Sequence, residues 1–133
     1  MIILVISKGV LAKIVNNALH AQYEICGLLL GRVEKSIFKV LETVLVRNIA
    51  VNKEEMFYMD PLEVYKVFMY AYKKNLEVIG IFHSHKTSPY PSKVDLKYMR
   101  LWRIPWLIID STSGSYGAYV VNKEVKEVII SLI

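Results

Sequence analysis

Histidine and cysteine are scarce in this chain, which has three histidines and a single cysteine, Cys26, among 133 residues. One cysteine cannot form an internal disulfide, so a disulfide-rich scaffold is excluded and a reducing, cytoplasmic compartment is expected. Six glycines and four prolines are too few for a collagenous or low-complexity chain. No apolar run approaches the ~18–20 residues that a membrane span needs, so we expect no membrane association.

The rest of the composition is that of a folded, mildly basic protein. Hydrophobic residues make up 54% of the chain, which is enough to bury a core and excludes disorder as the dominant state. No linker, repeat or composition break divides the chain, so residues 1–133 are interpreted as one domain. The formal net charge of +5 suits an ordinary solvated surface as well as a nucleic-acid face.

Hydrophobic periodicity predicts short strands interrupted by three helices. Asp60 followed by Pro61 is typical of a helix start, because Asp is a good N-cap and Pro suits the first turn. Strands that outnumber helices and come in runs favour an α/β or α+β fold with a mixed sheet. The predicted strands are residues 2–6, 26–31 (a central strand), 36–46, 78–82, 107–109, 116–121 and 125–132, and the predicted helices are residues 8–21, 61–74 and one that begins at Ser92.

A stripe of large apolar side chains follows helical spacing in the second predicted helix. A stripe of this kind packs into a core far more often than it binds a cofactor, so we expect these residues to be buried. The stripe consists of Leu62, Tyr65, Phe68, Met69 and Tyr72.

Two of the three histidines, His83 and His85, come directly after the buried strand 78–82. Residues two apart on a strand face the same side, so both imidazoles can converge on one point. Asp95 lies ten positions after His85, and the intervening Pro89 and Pro91 mark a turn that can return its carboxylate. Two histidines, one carboxylate and an open position are typical of a catalytic zinc site.

Each of these residues also has a plainer interpretation. His-x-His is more often a surface pair or a hydrogen-bonded core pair than a set of ligands. Ser92 and Asp95 fit the S-x-x-D pattern of a helix capping box, which needs no catalysis to explain it. Glu24, which precedes the strand 26–31, is either the proton acceptor that metal-assisted hydrolysis requires or a solvated carboxylate. The spacing by itself leaves these alternatives open.

Three segments taken together resemble the MPN+/JAMM zinc metalloproteases. They are residues 24–31 (EICGLLLG), 80–85 (GIFHSH) and 91–95 (PSKVD), in the order of the family pattern of a distant Glu, His-x-His and Ser-x-x-Asp. Weaker agreement around Asn48, residues 57–61, 106–109 and 127–128 extends the resemblance over nearly the whole chain. The resemblance implies a mixed sheet flanked by helices, in the MPN/JAMM (cytidine deaminase-like) architecture.

The resemblance also implies a role for each motif residue. His83, His85 and Asp95 match the three zinc ligands of the family. Glu24 matches its general base, and Ser92 matches the residue that stabilises the oxyanion. Two departures stand out, because nine residues separate His85 from Asp95 where the family usually has ten, and Lys86 replaces the usual proline.

By this resemblance we expect a compact archaeal or bacterial enzyme. Its activity would be zinc-dependent hydrolysis of peptide or isopeptide bonds after the Gly-Gly tail of ubiquitin-like or sulfur-carrier proteins. The +5 charge would then help to dock an acidic modifier.

The alternatives are a non-catalytic MPN-type scaffold and, less favoured, a nucleic-acid face, within which Lys93, Lys97 and Arg100 share one side of a helix. The basic residues of that face are Lys73, Lys74, Lys86, Lys93, Lys97, Arg100 and Arg103. We interpret Cys26 as a small buried hydrophobe rather than a soft ligand or an inhibitory thiol. Apolar residues such as Trp102, Ile104 and Trp106 could pair with a second copy or belong to the core, so the sequence predicts no oligomeric state.

Overall fold

Seven strands and three helices form the protein in the computed structural model, which describes residues 1–133. Every predicted strand and helix is present, with ends within three residues of the predicted ones. The elements are β1 (Ile3–Ile6), α1 (Lys8–His20), β2 (Cys26–Glu34), β3 (Ile37–Val46), α2 (Pro61–Lys73), β4 (Glu77–His85), α3 (Lys93–Met99), β5 (Trp106–Asp110), β6 (Tyr116–Asn122) and β7 (Glu124–Leu132).

The strands form one mixed sheet that closes into a barrel in the order β1-β3-β2-β4-β5-β6-β7. The mixed sheet is confirmed, but its description as a sheet flanked by helices is corrected by this closure. The closure comes from β1, which pairs in parallel with β3 on one side and with β7 on the other. Neither edge of the sheet is left unpaired, and a closed sheet removes the exposed hydrogen-bonding groups of an open edge.

The strands that carry the candidate site lie next to one another in the barrel. The central position predicted for β2 is confirmed, since β2 pairs antiparallel with β3 and with β4. In that pairing Cys26 lies opposite His83, so the residues just before β2 reach the C-terminal end of β4. Strand β5 runs parallel to β4 and ends at the same edge, with Asp110 opposite His85.

Two apolar clusters fill the space between the barrel and the helices. Helix α1 contributes Leu11, Ile14 and Ala18 to one cluster, while α2 and α3 contribute residues such as Val67 and Met99 to the other. None of the three helices has the length and the apolar composition that a membrane span requires.

The prediction that the large apolar stripe of α2 is buried is wrong. Tyr65 and Tyr72 are 61% and 72% exposed, and the other three stripe residues are exposed as well. The buried side chains of α2 are Val67 and Ala71. Two apolar faces of this helix share the 3.6-residue period, and the face with the smaller side chains is the one that packs on the barrel.

Trp106 belongs to the core and is 2% exposed, and its indole N–H donates to the Trp102 carbonyl. Trp102 and Ile104 are half-buried and pack against the same cluster as α2. Of the two alternatives for these three residues, a contact with a second copy and a place in the core, the structure therefore supports the place in the core.

Candidate metal centre

His83 and His85 lie on the last three residues of β4, and the structure brings their rings together. The ring centroids are 4.7 Å apart in an edge-to-face arrangement. His83 is completely buried, whereas His85 is half-buried. The Nδ1 atom of His85 donates to the carbonyl of Ser88 at 3.1 Å, so Nε2 is the nitrogen that faces the centre.

Asp95 contacts both imidazoles in spite of the short loop before it. Its Oδ2 atom lies 2.8 Å from Nε2 of His85, and its Oδ1 atom lies 3.3 Å from Nε2 of His83. The carboxylate is 5% exposed. Nine intervening residues are therefore enough to return this carboxylate to the two histidines.

Ser92 and Asp95 form the capping box that the S-x-x-D spacing predicts. The hydroxyl of Ser92 accepts from the Asp95 amide at 3.0 Å, and Oδ2 of Asp95 accepts from the Ser92 amide at 2.9 Å. The cap fixes the start of α3 and the direction of the Asp95 side chain. Since the hydroxyl oxygen of Ser92 acts only as an acceptor here, its own proton remains available for donation.

Glu24 lies on the other side of His83. Its Oε1 atom is 3.7 Å from Nδ1 of His83, and its side chain is almost fully buried. One ligand atom each from Glu24, His83 and His85 lies within 4.8 Å of the others. The interpretation of Glu24 as a solvated carboxylate is therefore wrong, because this carboxylate belongs to the buried cluster.

The backbone around Glu24 is held by hydrogen bonds from three separate segments. The Glu24 amide donates to the Lys53 carbonyl at 2.8 Å, and the Glu24 carbonyl accepts from Nδ2 of Asn48 at 2.9 Å. The next amide, that of Ile25, donates to the hydroxyl of buried Ser84 at 2.9 Å. These contacts fix the position from which the Glu24 side chain enters the cluster.

Asn48 uses both the NH₂ group and the oxygen of its side-chain amide to hold the backbone around the site. Besides the bond to Glu24, Nδ2 donates to the Met56 carbonyl, and Oδ1 accepts from the amides of Ala50 and Tyr58. No sequence pattern predicts this role for Asn48 or for Ser84. A single Asn after a strand does not indicate a role in holding a site, although a Ser between two histidines indicates a position next to the site.

Aromatic rings enclose His83. Phe57 stacks on its imidazole with a centroid distance of 4.5 Å and an interplanar angle of 27°, and Trp106 meets it edge-on at 5.7 Å. Phe57 and Trp106 contact each other as well. These rings exclude water from one side of the cluster, and no sequence pattern gave Phe57 this position.

The charges of the cluster shift two pKa values in opposite directions. Burial alone would lower the pKa of His83, but the carboxylates of Asp95 and Glu24 outweigh it and raise that pKa to about 9. Burial alone would raise the pKa of Asp95, but its contacts with His83, His85 and the Ser92 amide hold it well below its usual range. The cluster thus favours a positive charge between its carboxylates.

The ring nitrogens of His83 and His85 and the carboxylate of Asp95 fit a zinc ion. Both ring nitrogens of His83 are buried without a hydrogen-bond partner, and orphaned buried nitrogens of this kind call for a ligand. Two atoms that bind one tetrahedral zinc at ~2.0–2.2 Å lie roughly 3.3–3.6 Å apart. The distance of 3.3 Å between Nε2 of His83 and Oδ1 of Asp95 fits that spacing. The distance of 2.8 Å between Nε2 of His85 and Oδ2 of Asp95 is shorter, so these two atoms have to move apart slightly to bind one ion.

Two further residues near the cluster do not join it. Cys26 is fully buried, and its Sγ atom donates to the Val46 carbonyl. Burial and the nearby Glu24 and Glu63 carboxylates raise its pKa to about 12, which agrees with a buried hydrophobe and argues against a thiolate ligand. Lys86 is exposed, and its Nζ atom lies 3.8 Å from Oε2 of Glu54.

The fold of this chain, a closed mixed barrel with a histidine pair at the end of β4, can be compared with those of known proteins. Residues 7–124 match a family model described as prokaryotic homologs of the JAB domain. The chain therefore belongs to the prokaryotic JAB/MPN family, which confirms the resemblance stated from its motifs.

Two individual proteins are similar to this chain over most of its length. A desampylase from Pyrococcus furiosus is 36% identical over 124 residues, which cover 92% of this chain and 84% of that protein. The solution structure of protein DSY2949 from Desulfitobacterium hafniense superposes with a TM-score of 0.83 at 27% identity, over 99% of this chain and 93% of that one.

Proposed function

We propose that residues 1–133 form a single zinc-dependent peptidase domain that hydrolyses peptide or isopeptide bonds after the Gly-Gly tail of ubiquitin-like or sulfur-carrier proteins. The observation that carries the proposal is the convergence of Asp95 on both His83 and His85, with Glu24 on the far side of His83. The enzyme name of the 36% identical relative supports a hydrolytic activity, and the lone cysteine supports a cytoplasmic location.

His83, His85 and Asp95 would hold the zinc ion. When bound, zinc polarises the scissile carbonyl and lowers the pKa of a water molecule. His85 keeps its orientation through the bond from Nδ1 to Ser88, and Asp95 keeps its own through the Ser92 cap. Contacts of this kind orient the ligands of a metal site and tune its affinity.

Glu24 would act as the general base and then as the general acid. Its carboxylate would take a proton from the attacking water as the new C–O bond forms, and would pass that proton to the leaving amine when the oxyanion collapses and the C–N bond breaks. A position fixed by Asn48, Lys53 and Ser84 suits this shuttle, because a carboxylate that is held in place reaches both oxygen and nitrogen without reorganisation.

Ser92 would stabilise the oxyanion. Its hydroxyl proton is not used by the capping box, so it can be donated to an oxygen that gains charge during attack. The same residue can therefore cap α3 and serve the reaction.

The test combines elemental analysis with cleavage of a modifier–Gly-Gly fusion, with and without a chelator. We expect about one zinc per chain and hydrolysis that the chelator abolishes. Glu24→Gln should keep zinc and lose hydrolysis, and His83→Ala should lose both. Glu34→Gln, at the exposed end of β2, is the matched control and should keep both.

Two outcomes would contradict the proposal. Full activity in Glu24→Gln would remove the assigned base, and wild-type protein that takes up no zinc would remove the assigned ligands. Zinc uptake without hydrolysis of any Gly-Gly fusion would favour the non-catalytic scaffold instead.

A further inference from the structure

A cavity of about 270 Å³ lies between the loop that follows β4 and the paired strands β6 and β7. Tyr90, Tyr119 and Glu127 are among the residues that line it, and Tyr119 and Glu127 face the same side because they lie opposite each other on β6 and β7. The volume lies just below the ~300 Å³ at which pockets for small-molecule ligands begin. The cavity is therefore of a size for one side chain.

The pairing register places this cavity at a definite distance from the centre. His83 lies opposite Ile108, and Ile108 lies opposite Gly117, so His83 and Gly117 share one row across the sheet. Neighbouring strands are ~4.8 Å apart, so the Cα atoms of His83 and Gly117 are about 10 Å apart. The loop that carries Tyr90 also joins His85 to Asp95, which ties the cavity wall to the metal centre.

Tyr119 points along the floor of this cavity towards that row. Its hydroxyl lies over Gly117, where an added Cβ would come within 2.8 Å of it. Tyr119 is 7% exposed, yet its hydroxyl has no hydrogen-bond partner within the chain. Since this hydroxyl is not among the fully buried atoms of the chain, it lies at the solvent-accessible side of the cavity, where its oxygen can accept from an ammonium group.

The remaining groups give the cavity a negative character within a protein of net charge +5. Tyr90 and Tyr119 lie with their ring centroids 6.0 Å apart, and Glu127 lies opposite Tyr119 on the neighbouring strand. Burial, Tyr90 and the Glu127 carboxylate raise the pKa of Tyr119. Tyrosine faces and a carboxylate together attract ammonium and guanidinium groups.

We propose that this cavity binds a cationic side chain, lysine or arginine, of the polypeptide whose bond is cleaved at the metal centre. The proposal rests on the proposed function. An extended chain advances ~3.3–3.6 Å per residue, so the bound side chain belongs to about the third residue from the scissile bond. The cavity thus selects substrates by charge.

The experiment uses the zinc-loaded enzyme and Gly-Gly fusions that differ only at the third residue on either side of the scissile bond, with Lys, Gln or Glu there. At one of the two positions we expect kcat/KM for Lys to exceed that for Gln about fivefold, in line with an exposed cation–π and carboxylate contact. Glu127→Gln should remove this preference, and Glu127→Lys should turn it towards Glu. Glu124→Gln, at the exposed start of the same strand, should leave it unchanged.

A second measurement is independent of hydrolysis. Titration with N-acetyl-lysine amide should shift the NMR signals of the Tyr90 and Tyr119 rings, whereas N-acetyl-norleucine amide should not. Gly117→Ala, which displaces the Tyr119 hydroxyl, should weaken the shift. If no fusion is cleaved but the rings respond, the proposed function fails, whereas the binding of a cationic side chain by the cavity stands.

The cavity assignment is wrong if Lys and Gln substrates are cleaved equally at both positions. It is also wrong if the tyrosine rings respond equally to both amides, because that response would report apolar contact rather than recognition of charge.

Discussion

The side-chain amide of Asn48 donates a hydrogen bond of 2.9 Å to the carbonyl oxygen of Glu24, 24 residues earlier in the chain. The same amide group also organises the loop that carries Phe57, through its bonds to Met56 and Tyr58. Asn48 therefore couples the position of the proposed base to the position of the ring that covers His83. It is a positioning residue, since its contacts are with backbone groups of other site segments.

Asn48→Asp tests this coupling with almost no change in volume. The substitution removes both N–H donors and brings a carboxylate oxygen against the carbonyls of Glu24 and Met56. We expect kcat to fall about 10–100-fold with little change in KM and in zinc content, because small displacements of a catalytic group cost about this much. Steady-state kinetics, elemental analysis and thermal unfolding measure the three quantities.

Asn52→Asp is the control, because the side chain of Asn52 makes its one hydrogen bond to exposed Glu55 in the same loop. It should keep the wild-type kcat. An Asn48→Asp enzyme that retained full kcat would show that the position of Glu24 does not depend on this hydrogen bond.

Local patterns predicted the part of the site that lies within one or two elements. His83 and His85 follow from the period of a strand, and the direction of Asp95 follows from the capping box that begins at Ser92. These relations involve residues at most three positions apart, so the chain sequence contains them directly.

Relations between distant segments could not be predicted in this way. The closure of the barrel depends on β1 pairing with β7, and the bonds of Asn48 and Ser84 depend on the register between strands. The buried face of α2 could not be predicted for a related reason, since the packing of this helix depends on how closely it approaches the barrel. Side-chain size alone does not determine that approach.

Phe57 should set the zinc affinity of the site. Its ring stacks on His83 at 4.5 Å, which restricts the imidazole and keeps water away. Phe57→Ala should weaken zinc binding about 10-fold, as the loss of groups that support metal ligands commonly does. Competition with a chromophoric chelator measures this affinity.

Tyr58→Ala is the matched control, because its side chain is the exposed neighbour of Phe57 and should leave zinc binding unchanged. Phe57→Leu, which keeps an apolar cover but loses the stacked ring, should fall between Phe57→Ala and the wild type. Equal affinities in all these variants would exclude a role for Phe57 in holding His83.

The two faces of α2 should differ sharply in their contribution to stability. Val67 is 7% exposed and Tyr72 is 72% exposed. Val67→Ala should lower the free energy of unfolding by about 2 kcal/mol, since two buried methyl groups are lost and a cavity remains. Tyr72→Ala should change it by less than about 0.5 kcal/mol. Guanidinium denaturation measures both values, and a larger loss in Tyr72→Ala would show that the exposed stripe is covered.

Cys26 should make the protein sensitive to high pH. Burial and the carboxylates of Glu24 and Glu63 raise the pKa of its thiol from an ordinary value of 9.0 to about 12. The folded state therefore holds the thiol proton more tightly than the unfolded state does. This contribution to stability is complete below pH 9 and is lost progressively as the pH rises from about 9 to about 12.

The difference between the wild type and Cys26→Ala isolates that contribution, because other groups that titrate at high pH are common to both proteins. The wild type should lose more unfolding free energy than Cys26→Ala over this pH window, as measured by denaturant unfolding. Folded wild type should also resist alkylation by iodoacetamide at pH 8 and react readily once it is unfolded, because the thiolate is the reactive form. Fast alkylation of the folded protein would mean that Cys26 is accessible and ionised, and the interpretation of this residue as a buried hydrophobe would be wrong.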